Sequence, residues 1–357
     1  MTIDHRTLDQ HRLEAFQGLV VSEAAAAESA ACCYLGDVLG LYAAMTGAGP
    51  LTAVELARRT DTHPRYVREW LANQAAGGYV HHHAQEDTFE LPDEHAAVLA
   101  DPTGPVDVAG IFAVIAAAWA SADRAVSAFR TGAGIGWHEH DPRLYHGVER
   151  IFAPLYRHQL VQEWIPALEG VDERLRAGAR VADVGCGHGA STIVLAEAYP
   201  ASRYLGVDAH GASIATAAKA AADAGVGDRV AFEVAAADQL PGEGYDLVCF
   251  FDCLHDMGDP VAAARRAREA LAEGGSVLIV EPRAGDALAD NCNPIGRLFY
   301  AGSVFLCTPS SLGQDGAAAL GAQAGPNQLL EVLAAAGFSH RRVATQTPFN
   351  LIIEARP

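Results

Sequence analysis

The 357-residue sequence has few basic residues, no paired-cysteine motif and no apolar run long enough to cross a bilayer. Its 25 basic and 44 acidic residues give a net charge of −19, which repels phosphate backbones and anionic lipid. We therefore expect neither a nucleic-acid nor a membrane partner. The seven cysteines show no metal-ligand spacing, so no metal site is predicted, and their pattern fits a reducing cytoplasm. The longest apolar stretch, 109–122, is bounded by aspartates and predicts a buried helix.

A glycine-rich stretch at 181–192, VADVGCGHGAST, is the most informative part of the sequence. Its first apolar residues predict a buried parallel strand, and its last residues predict a helix packed on the sheet. The turn between them contains Gly185, Gly187 and Gly189. Side chains at these positions would keep the backbone away from a ligand. The spacing differs from the dinucleotide fingerprint G-x-G-x-x-G, and Asp183 precedes it. This acid would repel pyrophosphate but can accept a hydrogen bond from an ammonium group.

The stretch resembles the first motif of the class I S-adenosylmethionine-dependent methyltransferases, and later segments follow the same family in order. A second predicted strand ends in Asp208, a position beside the topological switch point that suits both hydroxyls of a ribose. The resemblance implies that Ala237 and Asp238, after the third strand, lie over the adenine. It also implies a Rossmann-like α/β domain with a mostly parallel seven-stranded sheet. The cofactor would be S-adenosyl-L-methionine, and S-adenosyl-L-homocysteine would be its product.

Candidate catalytic residues follow the fourth and fifth predicted strands. Phe250 or Phe251 would pack beside the sulfonium at the end of the fourth strand. His255 comes next, where an imidazole with a pKa of about 6.5 can take a proton from an attacking hydroxyl. Glu281 ends the fifth strand and could orient that imidazole. Together, His255 and Asp256 resemble the His-Asp element of winged-helix small-molecule O-methyltransferases, whose histidine is the general base.

Two other interpretations of this region were weighed. In the first, His255 is structural and caps the next helix, with Asp256 or Asp259 at the N-terminus of that helix. In the second, Cys292 and Cys307 join His255 in a metal site, but no compact spacing supports it.

The N-terminal part of the chain predicts helices over 12–46, followed by a winged helix. The first winged-helix element turns three apolar residues inward, Leu51, Val54 and Leu56. Thr62 is the expected N-cap of the second helix, 65–76, and Pro64 lies where a missing N–H costs little. Two strand-like pieces complete the wing, 79–81 and 88–91.

The winged helix has two possible roles. Arg65 and Arg68 on its second helix would contact DNA in a sequence reader. Glu69 and the acidic chain weaken such contacts, so we favour a domain for dimerisation and for covering the substrate. The alanine-rich apolar faces of the N-terminal helices, with the family's arrangement, indicate a homodimer.

The sequence thus predicts a winged-helix domain over 1–105, a helical linker over 106–170 that contributes to the acceptor pocket, and a methyltransferase domain over 171–357. A lid insertion spans 283–325, since a connection of this length at a site edge is usually a binding element. The expected function is O-methylation of a small, largely apolar molecule. The alternatives are transfer to carbon, nitrogen or sulfur, and a non-catalytic, ligand-sensing regulator.

Overall fold

The computed structural model describes residues 8–357, so the first seven residues of the predicted 1–105 domain lie outside the described residues. The chain divides into two compact units, Met1–Ala116 and Ala117–Pro357. The division falls inside the segment 106–170, for which we predicted a linker. The three-part division of the sequence stays a prediction.

The first unit is built of helices and one small antiparallel sheet. Its elements are α1 (Gln10–Val38), α2 (Leu41–Met45), α3 (Ala53–Arg59), α4 (Pro64–Ala76), β1 (His81–His83), β2 (Thr88–Glu90), α5 (Asp93–Leu99) and the start of α6 (Gly110–Ala120). Strands β1 and β2 pair antiparallel after the helix–turn–helix of α3 and α4. This order is that of a winged helix, as predicted.

Two local predictions in this unit were wrong. The N-cap of α4 is His63, whose Nδ1 accepts from the Arg65 N–H at 3.2 Å, because the cap is the residue directly before the proline that begins the helix. The Thr62 hydroxyl instead pairs with that of Thr60 at 2.8 Å. Val54, expected inside, is 55% exposed, since it lies on the outer face of α3.

The second unit is an α/β domain. Its elements are α7 (Ala122–Thr131), α8 (Arg143–Leu155), α9 (Val171–Ala177), β3 (Arg180–Val184), α10 (Ala190–Ala198), β4 (Arg203–Asp208), α11 (Gly211–Asp223), β5 (Val230–Val234), β6 (Tyr245–Phe251), α12 (Pro260–Ala270), β7 (Leu271–Pro282), α13 (Pro294–Gly302), α14 (Thr308–Leu312), α15 (Gly325–Ala335), β8 (His340–Gln346) and β9 (Asn350–Arg356). Two π-helical segments, Tyr156–Trp164 and Ser303–Cys307, continue α8 and α13.

The seven strands of this unit form one sheet in the order β5-β4-β3-β6-β7-β9-β8. The first five strands run parallel, and β9 is antiparallel to both of its neighbours. Because β4 and β6 flank β3 on opposite sides, the strand order reverses there and leaves a crevice at the carboxyl ends. The predicted fold class is confirmed, including the number of strands.

Core side chains cover both faces of this sheet. Phe250 belongs to one buried cluster and Phe251 to the other, as expected for neighbours on a strand. The cluster that contains Phe251 also contains a row of side chains spaced four residues apart: Tyr156, Leu160, Trp164 and Leu168. A π-helical turn is wider than an α-helical one, so it keeps this spacing on one face.

Among residues 8–357, no single helix has the length and hydropathy of a membrane span. Helices α6 and α7 have the required length and composition only when they are taken together, and the pair is bent. The predicted buried helix at 109–122 is buried only in part. Ala109 and Ala117 are inaccessible, whereas Trp119 is 67% exposed.

Candidate active site

The acidic residues predicted to form the site lie at the crevice formed by the carboxyl ends of the parallel strands. Asp183 lies in β3, Asp208 ends β4, and Glu281 lies near the end of β7. Residues that follow β6 complete this edge with a short 3₁₀ turn, Leu254–Asp256. The site is therefore built from four adjacent strands of one rigid sheet.

Asp183 is buried, and only one of its two carboxylate oxygens is hydrogen bonded. Its Oδ2 accepts hydrogen bonds from the hydroxyls of Ser191 and Thr192, both at 2.6 Å. Its Oδ1 is buried and has no hydrogen-bond partner among the described residues. Burial raises the pKa of this carboxyl to about 6, although the two hydroxyls act in the opposite direction. An unsatisfied, buried carboxylate oxygen fits a site for a ligand donor such as an ammonium group.

The glycine turn requires glycine for two reasons. Gly185 and Gly189 have positive φ angles of 73° and 78°, which favour glycine. A Cβ on Gly185 would lie 2.8 Å from the Cys253 Sγ, and one on Gly189 would lie 2.7 Å from the Phe232 ring. Around Gly187, by contrast, a Cβ would meet nothing within 4 Å, so the turn presents an open face there.

Asp208 ties this turn to the neighbouring strand. Its Oδ2 accepts from the Gly187 N–H at 2.9 Å, and its Oδ1 accepts from the His210 N–H at 2.8 Å. Burial raises the pKa of this carboxyl, and the two backbone donors oppose that rise. Because each carboxylate oxygen has a second lone pair, Asp208 can still accept from two ligand hydroxyls.

The other predicted cofactor residues lie in different surroundings. Ala237 and Asp238 form a 3₁₀ turn after β5, where Asp238 is exposed to solvent. Phe250 is fully buried in the core, and the Phe251 ring packs against that of Tyr156 at 5.3 Å. Their contacts with a cofactor stay a prediction.

His255 and Glu281 form a buried pair between the ends of β6 and β7. The Nδ1 of His255 is hydrogen bonded to Oε2 of Glu281. Oε1 of the same carboxylate accepts from the Leu254 N–H at 2.9 Å. Burial lowers the pKa of His255, but the Glu281 carboxylate and Cys307 outweigh it, so the pKa lies well above its ordinary value.

The second nitrogen of the imidazole faces the long insertion. His255 Nε2 lies 3.2 Å from the Sγ of Cys307, which ends the second π-helical segment. This direct contact was not predicted, since the sequence suggested Cys307 only as a metal ligand beside His255. Cys292, the other cysteine considered there, is exposed and donates to the Leu288 carbonyl at 3.3 Å.

The acids next to His255 have separate roles. Asp259 caps α12 by accepting from the Ala262 N–H at 2.8 Å, so of the two acids considered for the start of this helix it is Asp259 that caps it, and His255 does not. Asp256 is partly buried, and burial raises its pKa to about 7. A catalytic role for Asp256 stays a prediction.

A second histidine–glutamate pair, not predicted from the sequence, joins the glycine turn to α8. His188 Nδ1 is 2.7 Å from Oε2 of Glu149, which lies on α8. One turn earlier on the same helix, His146 stacks edge-on against His188 with ring centroids 5.7 Å apart. The His146-x-x-Glu149 spacing on an amphipathic helix indicates two polar side chains on one helical face, but nothing in the sequence connects them to His188.

Comparison with protein-family models divides the chain as the fold does. Residues 175–324 match a model described as a methyltransferase domain. Residues 27–101 match the Rv2258c-like winged helix-turn-helix domain.

Curated relatives match about a third of the chain. A 27-O-demethylrifamycin SV methyltransferase from Amycolatopsis mediterranei is 33% identical over 131 residues, which is 34% of this chain and 48% of that protein. A trans-aconitate 2-methyltransferase from Paracidovorax citrulli is 32% identical over 136 residues, or 34% of this chain and 51% of that protein. The chain spans about half the length of these relatives.

Solved structures match over nearly the whole chain. The mitomycin 7-O-methyltransferase MmcR has a TM-score of 0.70 at 19% identity, covering 98% of this chain and 100% of that one. Human N-acetylserotonin methyltransferase in complex with SAM has a TM-score of 0.67 at 17% identity, covering 98% of each. An O-methyltransferase from neocarzinostatin biosynthesis, in complex with SAH and 1,4-dihydroxy-2-naphthoic acid, has a TM-score of 0.62 at 21% identity, covering 93% of this chain and 96% of that one. At these identities the matches establish a shared fold.

The chain therefore combines a domain with the class I methyltransferase fold, matched by the methyltransferase model over residues 175–324, with a winged-helix domain matched over residues 27–101. The fold supports S-adenosyl-L-methionine as its cofactor, and the buried acceptor on Asp183 together with the open glycine turn fits that molecule.

Proposed function

We propose that this protein transfers a methyl group from S-adenosyl-L-methionine to an oxygen of a small, largely apolar molecule, with His255 as the general base. The observation that carries the proposal is the buried His255–Glu281 pair at the carboxyl edge of the sheet. His255 has one ring nitrogen hydrogen bonded to a carboxylate, and it lies at the same edge of the sheet as the acids predicted to bind the cofactor. Such pairs orient histidine bases in other enzymes.

The proton of the acceptor hydroxyl would pass to His255 Nε2. Because Nδ1 is held by the Glu281 carboxylate, the neutral ring keeps its proton there and its lone pair at Nε2. After proton transfer, Glu281 stabilises the positive ring. The acceptor must replace the Cys307 thiol that contacts Nε2, so the insertion at 283–325 is expected to adjust when the acceptor binds.

The cofactor residues supply binding and position. Asp183 Oδ1 would accept from the ammonium group, Asp208 from the ribose hydroxyls, and Asp238 from the adenine amine. When bound, S-adenosyl-L-methionine supplies an electrophilic methyl group. Direct displacement needs little covalent help, so alignment of the acceptor by the pocket provides much of the acceleration.

Calorimetric titration with S-adenosyl-L-methionine and S-adenosyl-L-homocysteine tests the cofactor site first. We expect wild type to bind both and Asp208→Ala to bind neither measurably. A matched control is Asp228→Ala, because Asp228 is exposed and pairs only with its neighbour Arg229 among the described contacts. Equal binding by wild type and Asp208→Ala would contradict the assignment of the ribose site.

Other methyl acceptors and a regulatory role remain competing proposals. Transfer to carbon, nitrogen or sulfur would make His255 less important. A regulator would need the winged helix to contact DNA, but Arg65 pairs with Glu69 and Arg68 with Asp87 at 3.0 Å. These acids offset the charge that a phosphate would need. A DNA-binding titration at physiological salt distinguishes the roles, and tight binding would favour the regulator.

We further propose a homodimer formed through α1. This 29-residue helix exposes several large apolar side chains: Leu13, Phe16, Leu19, Val20, Val21, Leu35 and Val38. Such a patch is unfavourable in water, and a second copy offers a matching surface. Light scattering should give twice the chain mass for wild type and a lower mass for Phe16→Glu. A monomeric wild type at working concentration would contradict the dimer.

A further inference from the structure

The clearest cluster outside the proposed proton path joins helix α8 to the glycine turn. His146, Glu149 and His188 each offer one ligand atom, and these atoms lie within 4.8 Å of one another. The His188 side chain is 9% exposed, the Glu149 side chain is 39% exposed, and His146 is exposed. The cluster is therefore anchored on its inner side and open to solvent on its outer side.

Two imidazoles and one carboxylate are the donor set of many three-ligand sites for divalent transition metals. Imidazole suits zinc, copper, nickel and iron, and a carboxylate oxygen adds negative charge. In a tetrahedral zinc site with bonds of about 2.0–2.1 Å, ligand atoms are about 3.3 Å apart. The three ligand atoms of the cluster lie within 4.8 Å of one another, which is close to that separation. The contact between His188 and Glu149, at 2.7 Å, is occupied by a proton that a metal ion would displace.

The spacing of the ligands on α8 and the charge of the chain both favour binding of a divalent cation. His146 and Glu149 lie three residues apart on α8, so both side chains project from one helical face. His188 reaches them from between Gly187 and Gly189. The chain carries a net charge of −19, which attracts a divalent cation.

We propose that His146, Glu149 and His188 bind one zinc-class divalent ion, with water completing its coordination. The ion joins α8 to the turn that approaches the cofactor. This site differs from the metal interpretation weighed for His255, because it uses neither Cys292 nor Cys307. It is independent of the proposed methyl transfer, since its test reads metal binding alone.

The test is zinc titration by calorimetry on the untagged, chelator-treated full chain, with cobalt absorption as a second measurement. We expect one ion per chain. His146→Ala and Glu149→Gln should each weaken binding by about 100-fold or more, because loss of a direct ligand should cost at least as much as the roughly 10–100-fold that loss of an outer-shell partner costs. His146 is exposed, so its truncation leaves the core intact, and thermal unfolding of the metal-free variant should match that of wild type.

His340→Ala is the matched control, because His340 is an exposed histidine on β8 of the same unit. It should bind zinc as wild type does. Absence of binding by wild type would overturn the proposal. So would wild-type affinity in both His146→Ala and Glu149→Gln, since the ion would then occupy another set of ligands.

Discussion

Two histidine–glutamate pairs in the second unit have the same chemistry but very different surroundings. In the His255–Glu281 pair the side chains are 5% and 1% exposed, and the carboxylate also accepts from a backbone N–H. In the His188–Glu149 pair they are 9% and 39% exposed, and the glutamate lies on a helix. The first pair is fixed by the sheet, whereas the second can change partners.

The difference indicates different functions. A buried pair held by strand ends is pre-organised, so its geometry suits repeated proton transfer. Its cost is desolvation, which only good hydrogen bonding offsets. A solvent-open pair costs little to form or break, which suits an exchangeable ligand. The degree of burial is therefore what distinguishes the pair proposed to act as a base from the pair proposed to bind an ion.

The largest expected effect is on stability. Glu281→Ala should destabilise the fold by about 3–5 kcal/mol, because it leaves the buried His255 without its charge partner and the Leu254 N–H without its acceptor. Glu149→Ala should change stability by less than about 1 kcal/mol, as expected for a pair with an exposed member. Urea unfolding of both variants measures the contrast. Similar losses in the two variants would contradict it.

An intermediate effect concerns pH. His255 can accept a proton only when neutral, and its pKa is held above the ordinary value, so methyl transfer should keep rising with pH through the range above about 6.5. Glu281→Gln removes the charge that raises this pKa and leaves burial, which lowers it. The acid limb of the kcat/KM profile should therefore move to lower pH by about one unit or more.

The profile has a clear control. Glu149→Gln removes the carboxylate of the solvent-open pair and should leave the acid limb of kcat/KM in place. An unchanged limb in Glu281→Gln would show that His255 does not control the profile.

The smallest expected effect is at Cys307. This thiol contacts His255 Nε2 and adds to the rise in the histidine's pKa, after Glu281. Cys307→Ala should therefore shift the acid limb in the same direction as Glu281→Gln, but by less. Cys307→Ser, which keeps a hydrogen-bonding atom, should restore part of the difference. A shift larger than that of Glu281→Gln would place the main control of the base in the insertion.

Much of the fold followed from local patterns. The second strand of the α/β domain was predicted to end at Asp208, where the structure ends it, because apolar runs, glycines and a terminal acid recur in a fixed order. The seven-stranded sheet came from the family resemblance. The predicted cap of α4 and the predicted inward position of Val54 were wrong. Both depend on where a helix begins, and a difference of one or two residues there changes the answer.

The contact between His255 and Glu281 could be predicted, because both lie at the ends of neighbouring parallel strands, but contacts made by segments outside the strand order could not. Cys307 meets His255 across 52 residues, and Glu149 meets His188 across 39. No spacing rule links such positions, because an insertion and a preceding helix supply them. The buried, unsatisfied Oδ1 of Asp183 is likewise visible only once its neighbours are placed.

His255 is the proposed base for methyl transfer to oxygen. The direct measurement is label transfer from S-adenosyl-L-methionine to a panel of phenolic and hydroxylated small molecules, by wild type and His255→Gln. The glutamine keeps a donor for Glu281, and titration with S-adenosyl-L-homocysteine confirms an intact cofactor site. We predict transfer by wild type and a loss of about 100-fold or more in His255→Gln, with unchanged cofactor affinity. Undiminished transfer in the variant would contradict the account.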